Sequence, residues 1–150
     1  YVRNPPQSSH KPGSDEGCII FVKLWQFNPD DRLHVNISAR ADDITPSSEF
    51  TAPATGVVSK VLYRDEYEAV SVYELAPDSV LELEASKGLE ALVLAGDMSE
   101  GNDNLEKHSW LRLPVGSQFK AKTGKTGARV WIKTEHLPFV DEQIARVKNA

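Results

Sequence analysis

Apolar and polar positions alternate along most of this chain with a period of two, not the 3.6 of a helix. Leu33, Val35 and Ile37 are interleaved with His34, Asn36 and Ser38, the pattern of a strand buried on one face. Residues 57–63 and 69–75 flank a polar turn at 64–68 and read as a hairpin. Ala76-Pro77-Asp78 turns into 80–84, where apolar and acidic residues alternate. Residues 90–94 end at Gly96, the polar stretch 99–107 is expected to be a surface loop, and 110–113 and 128–133 read as the last two strands. The run 18–25, rich in Ile, Val and Phe between Gly17 and Asn28-Pro29, is expected to be a long strand. After Pro138, the spacing of Phe139, Val140, Ile144 and Val147 fits one short amphipathic helix, with Asp141 placed to cap it and a packing role expected. Many short strands punctuated by Gly, Pro and Asp argue for an all-β sandwich or barrel. There is no βαβ alternation and no Gly-rich phosphate loop after a strand, which argues against a nucleotide-binding parallel sheet.

Composition narrows the function classes. The 150 residues are 40% hydrophobic and 26% charged, ordinary for a soluble globular domain and too apolar for disorder. Seventeen basic against twenty-two acidic side chains give a net charge of −5, which disfavours a nucleic-acid partner. No apolar run approaches the ~20 residues of a membrane span. Cys18 is the single cysteine, so an intrachain disulfide and a Cys-based zinc cluster are excluded. With no leader in view, a reducing, cytoplasmic setting is expected.

An internal repeat is the strongest long-range signal. Shifted by 109 positions, Tyr1-Val2-Arg3 falls on Trp110-Leu111-Arg112, Pro5 on Pro114, Ser8 on Ser117 and Lys11 on Lys120. One inserted residue later, Gly17 falls on Gly127, and Ile20-Phe21-Val22-Lys23 falls on Val130-Trp131-Ile132-Lys133. The spacing is that of whole domains, far longer than a solenoid repeat. Two tandem copies of one β-domain are expected: residues 1–27 as the closing strands of a first, truncated copy, and 28–150 as the second.

The residues that repeat also carry a family likeness. Trp110-Leu111-Arg112-Leu113-Pro114-Val115-Gly116-Ser117, preceded by Leu94-Ala95-Gly96-Asp97, resembles the cupin superfamily, and within it the cupin-like domain of ChrR-type anti-sigma factors. In that group a Leu-x-Gly turn and a loop precede a Trp-Leu-Arg-x-Pro-x-Gly-Ser-x-His run, which the opening Tyr1–His10 matches still more closely. The likeness spans 1–27 and about 36–137. It implies a double-stranded β-helix, the cupin jelly-roll barrel, here with a short C-terminal helix.

Such cupins usually hold a divalent metal through a His-x-His pair, a glutamate and a later histidine. Alternate strand residues share a side, so a His-x-His pair aims both rings into the barrel. In the second copy, counting back from Gly96 places the pair at Leu83 and Ala85, and the late histidine place falls on Phe119. Glu90 alone matches a ligand type, and one carboxylate among Leu, Ala and Phe cannot hold a transition metal. The second barrel is therefore expected to be metal-free, with Glu90 paired to a Lys or Arg. Sliding the register by one would bring Glu82 and Glu84 to the pair places but turn Leu81 and Leu83 outward, against the alternation. In the first copy, His10 takes the late histidine place. The resemblance implies one divalent metal there, zinc before Mn, Fe or Ni, with the other ligands upstream of Tyr1.

The remaining conspicuous residues read plainly. His34, His108 and His136 share no metal-binding spacing and are expected at the surface. Trp110 and Trp131 are expected to fill the core, and Cys18 to be a buried thiol. Asn36-Ile37-Ser38 matches a glycosylation sequon by chance, and no serine sits in a Gly-x-Ser-x-Gly setting. The leading expectation is a non-catalytic regulatory or sensor module resembling the ChrR cupin domain, binding a small molecule or metal. A sigma-factor partner follows only from the resemblance, since no Cys/His zinc domain accompanies it here. One alternative is a metal-dependent dioxygenase or isomerase centred on His10. Another is a structural homodimer joined through apolar edge strands.

Overall fold

The computed structural model describes residues 1–24, 27–40 and 55–148. The chain divides into two compact units, one of Tyr1–Ser38 with Val140–Ala150 and one of Ala39–Phe139.

In the first unit, β1 (Val2–Arg3) and β2 (Val35–Asn36) form a short antiparallel ribbon. The Tyr1 amino group donates to the Ile37 carbonyl at 2.8 Å, and the Ile37 N–H returns a bond to the Tyr1 carbonyl. Arg3 holds the ribbon from inside. It is 3% exposed, pairs with Asp31 at 2.6 Å, and lies 4.0 Å over the Phe27 ring. The strand expected over 18–25 is not formed by its described part: 18–24 carry no strand structure, and Trp25 lies outside the described residues. β-branched and aromatic composition favours a pleated, half-buried surface but does not create the neighbouring strands that would make one. Ile19, Ile20, Val22 and Leu24 are accordingly exposed, and so is Cys18, against the expectation of a buried thiol. The C-terminal helix, α1 (Val140–Lys148), is present. Asp141 lies within its first turn instead of capping it, and Arg146 in its last turn donates to the Phe27 carbonyl and the Asn28 side chain, each at 2.9 Å. Ile144 and Val147 are exposed.

In the second unit the described strands are all paired antiparallel, and a short 3-10 turn at Leu137–Phe139 follows them. The strands are β3 (Val57–Arg64), β4 (Ala69–Leu75), β5 (Val80–Ala85), β6 (Leu89–Glu100), β7 (Asp103–Leu105), β8 (Trp110–Leu113) and β9 (Ser117–Thr134). The order is β3-β4-β9-β6-β7, with β5 added to β9 and β8 to β6. Two strands do most of the building. The first part of β9 pairs with β5, and its last part lies between β4 and β6. It therefore turns a corner, and so does β6, whose register on β9 shifts between Val93 and Ala95 and again between Gly96 and Met98. Gly96 and Gly127, both at φ +72, meet at that corner, and a Cβ on Gly96 would stand 2.0 Å from the Gly127 carbonyl oxygen. The closed space between the strands is filled by Phe119, Leu89, Val93, Val130 and Ile132.

Two sequence expectations fail here for one reason, namely that alternation settles which face a residue takes. Leu111 and Leu113 pack on the core, so Trp110 points away and is 48% exposed. Trp131, between the core residues Val130 and Ile132, takes the opposite face and is half-buried. The loop expected over 99–107 is instead a hairpin: β6 runs on to Glu100, and β7 returns to bury Leu105. Likewise β9 begins at Ser117, eleven residues before the expected 128, since after Phe119 its buried face is carried by Ala121 and Thr123, with little apolar bulk.

Candidate functional site

The second unit holds a cavity of about 240 Å³ bounded by β3, β4, β5 and the end of β9. Its apolar wall is Val61, Ala69, Leu83 and Ile132. Alternation along β4 turns Ala69, Ser71 and Tyr73 to the same side, so the cavity gains two hydroxyls beside that wall. Burial pushes the Tyr73 phenol up from its ordinary value of 10.0, with the Arg64 charge and a hydrogen bond with Ser71 pulling partly back. Tyr73 therefore stays neutral at physiological pH and offers a proton donor.

The charged rim is Arg64, Glu84 and Glu135. Glu135 follows β9 with φ +72, a left-handed backbone uncommon for a residue with a Cβ. Its two carboxylate oxygens reach different cations, Arg64 Nη2 at 3.9 Å and Lys87 Nζ at 3.7 Å. Nothing in the sequence marks this bridge, because it depends on the turn that ends β9. Ser71 and Tyr73 share one face of β4, but Val70 and Val72 on the other face are as deeply buried, so alternation alone does not aim the two hydroxyls at a cavity.

Of the residues predicted from the resemblance, three line the barrel side of their strands. Leu83 is half-buried, packs on the core and borders the cavity. It stands opposite Phe119 in the β5–β9 register, and Phe119 and Ala85 are both fully buried. The exposed Glu82 and Glu84 lie to either side of Leu83, so the one-residue register slip is not adopted. Glu90 is elsewhere. Leu89 and Ala91 enter the core, so Glu90 takes the other face of β6, flanked in register by Arg112 and Lys133. It is 2% exposed, lies 3.7 Å from Arg112 Nε, and meets His136 Nε2 at 3.3 Å. His136, expected at the surface, is thus buried against Glu90. Lys133 on the same face forms a close buried ion pair with Glu68. His10, in the first unit, is exposed, as are His34 and His108.

A metal at the cupin position can be tested against these donors. Leu83, Ala85 and Phe119 carry no ligand atom, and the single carboxylate, Glu90, lies on the face away from the core. The residues present do not fit a metal there. Among the described residues no three His, Cys, Asp or Glu side chains converge on one point, around His10 or elsewhere.

No family model matches the chain, and no curated protein sequence matches it. Solved structures do. The chain is similar to ChrR in the complex of Rhodobacter sphaeroides SigE with the anti-sigma ChrR, at 11% identity and TM-score 0.54, over 63% of this chain and 50% of that one. The likeness thus spans about half of that protein's length. A putative acetylacetone dioxygenase of Methylibium petroleiphilum matches over 67% of this chain and 76% of its own, at 12% identity and TM-score 0.54. The cupin domain of Schizosaccharomyces pombe Cnp3 matches over 75% and 82%, at 13% identity and TM-score 0.54. The second unit therefore has the cupin fold, a jelly-roll barrel, as the strand alternation and the resemblance led one to expect. The proteins that share it include a regulator and a putative enzyme, so the fold fixes no activity. Among the described residues no helix is long and apolar enough to cross a membrane.

Proposed function

We propose that this chain is a non-catalytic cupin-fold module that binds a small organic molecule in the mouth of its barrel and serves a regulatory role. One observation carries the reading. The places where histidine ligands would stand are Leu83, Ala85 and Phe119, packed into an apolar core, while a cavity with a neutral phenol and charged rim opens beside Leu83. A concave, mostly preformed site with a few convergent polar groups is the usual form of a small-molecule pocket. The regulatory half of the reading rests on the sequence resemblance of Trp110–Ser117 and Tyr1–His10 to the cupin-like domain of ChrR-type anti-sigma factors. We also propose that residues 1–27 are the closing part of a second β-domain of the same kind, the tandem repeat being the support. His10 would then contribute to a metal site only together with donors outside the described residues.

A thermal-shift screen of small metabolites against the whole chain, with and without a chelator, tests this. Ligands are expected to raise the melting temperature equally in both conditions, and Leu83→Trp, which fills the cavity, is expected to abolish the shift. Stoichiometric transition metal whose removal abolishes ligand binding, or oxygen consumption by the purified chain, would overturn it.

A further inference from the structure

We propose that the barrel-mouth cavity selects a small monocarboxylate, and that Glu135 marks the place of the ligand's carboxylate between Arg64 and Lys87. The inference rests on the reading of this cavity as a ligand site and goes further by naming the ligand's chemistry. Glu135 is held in a left-handed conformation at the end of β9, and that backbone carries its carboxylate to two cations at once. Its contacts, 3.9 and 3.7 Å, are well beyond the ~2.7–2.9 Å of a charge-assisted hydrogen bond. A carboxylate so loosely held is easily exchanged, because solvent-exposed ion pairs contribute little. Arg64 is 64% exposed and presents five N–H donors in a planar fork suited to a carboxylate.

Behind Arg64 the cavity has an apolar side of Val61, Leu83 and Ile132, which suits a short hydrocarbon chain, and a hydroxyl side of Ser71, Tyr73 and Thr134, while Lys87 stands outside this lining and meets it through Glu135. The volume of about 240 Å³ is below the ~300–1,000 Å³ typical of sites for drug-sized ligands, so the chain is short. The neutral Tyr73 phenol within the wall cannot offset a second ligand charge. Glu84, also in the lining, repels one. A single negative charge at the mouth and an apolar tail inside is the chemistry that fits all of these groups together.

Hexanoate, hexanamide, hexylamine and the dianion adipate are the probes, titrated into the whole chain at constant ionic strength and followed by amide chemical shifts and calorimetry. Hexanoate is expected to bind most tightly and to move amides of β3 and β4 at the cavity. Glu135→Gln, which keeps the side-chain size and removes the competing charge, is expected to tighten hexanoate several-fold and leave hexanamide unchanged. Arg64→Gln is expected to weaken hexanoate about tenfold, with the amide spectrum confirming that the barrel is folded. Tighter binding of hexylamine or hexanamide than of hexanoate would overturn the carboxylate assignment and leave the barrel-mouth reading standing. Unchanged or weaker hexanoate binding in Glu135→Gln would overturn it equally. If none of the four probes moves cavity amides, the carboxylate inference fails, and the metabolite screen alone decides the broader reading.

Discussion

Leu83 and Phe119 face each other directly across the β5–β9 ladder, the first half-buried at the edge of the cavity and the second fully enclosed. The resemblance would put imidazoles at both places. What stands there is a cross-strand apolar pair, which contributes packing where a metal site would contribute coordination. Phe119→Ala is expected to lower stability by about 3–5 kcal/mol through the cavity it leaves. Leu83→Ala is expected to cost clearly less, since part of Leu83 is already hydrated. Urea unfolding of the two variants checks the order, and a greater loss for Leu83→Ala would contradict the arrangement.

The Glu90 cluster predicts an asymmetry. Glu90 and His136 are both buried, whereas Arg112 is 42% exposed. Glu90→Ala leaves buried polar groups without their carboxylate, a loss of roughly 3–5 kcal/mol when the partner stays buried. Arg112→Ala removes one exposed, solvent-screened partner at 3.7 Å and is expected to cost less than about 1 kcal/mol. Equal melting temperatures for the two variants would show that Glu90 is not held as described.

Much of this architecture is legible in the sequence, for a physical reason. Period-two alternation reports burial directly wherever one face of a strand is covered, so β3, β4, β5 and β8 are found near their expected positions. The same signal gives the inward pair Leu81 and Leu83, and the count back from Gly96 under the resemblance adds Ala85. Where it misleads, something other than alternation decides. Residues 18–24 have strand composition but no strand structure, because composition does not supply a ladder. Trp110 and Trp131 are large and apolar, yet their neighbours Leu111, Val130 and Ile132 take the core side. His136 is buried by what packs around it, and Glu135 reaches Arg64 and Lys87 through a backbone turn. Neither leaves a trace in residue spacing.

Acid should loosen the first unit's ribbon. The Arg3 guanidinium hydrogen-bonded to Asp31 holds its carboxyl below the ordinary value of 3.8, helped by the Leu33 N–H donating at 2.9 Å. A carboxyl depressed in the folded state gives stability that is present above its unfolded value and lost as pH falls below it. The expected result is a fall in the hydrogen-exchange protection of the Ile37 amide below pH 3.8, relative to amides in the middle of β9. Asp31→Asn should remove that pH dependence and lower protection at neutral pH. Protection of Ile37 that tracks β9 at every pH would count against the ion pair as the clasp.

The corner where β6 and β9 bend together gives a test of the barrel itself. Gly96 and Gly116 both have positive φ, +72 and +83, so alanine at either must accept a left-handed backbone at about 1–2 kcal/mol. They differ in what surrounds them. Around Gly116 an added Cβ meets nothing within 4 Å, whereas at Gly96 it meets the Gly127 carbonyl oxygen at 2.0 Å and the Ala128 Cα at 2.9 Å. Those neighbours are backbone and cannot rotate aside. Gly116→Ala is therefore expected to lose only the conformational cost, with amide shifts confined to its turn. Gly96→Ala must separate the two strands or twist the corner, so its loss should be larger and its amide shifts should extend through β6 and across to β9. Because the end of β9 beyond that corner shapes the cavity wall, Gly96→Ala should also weaken ligand binding while Gly116→Ala leaves it intact. Equal stability losses in the two variants, with shifts local in both, would show that the strands do not approach so closely and that the barrel is more open than described.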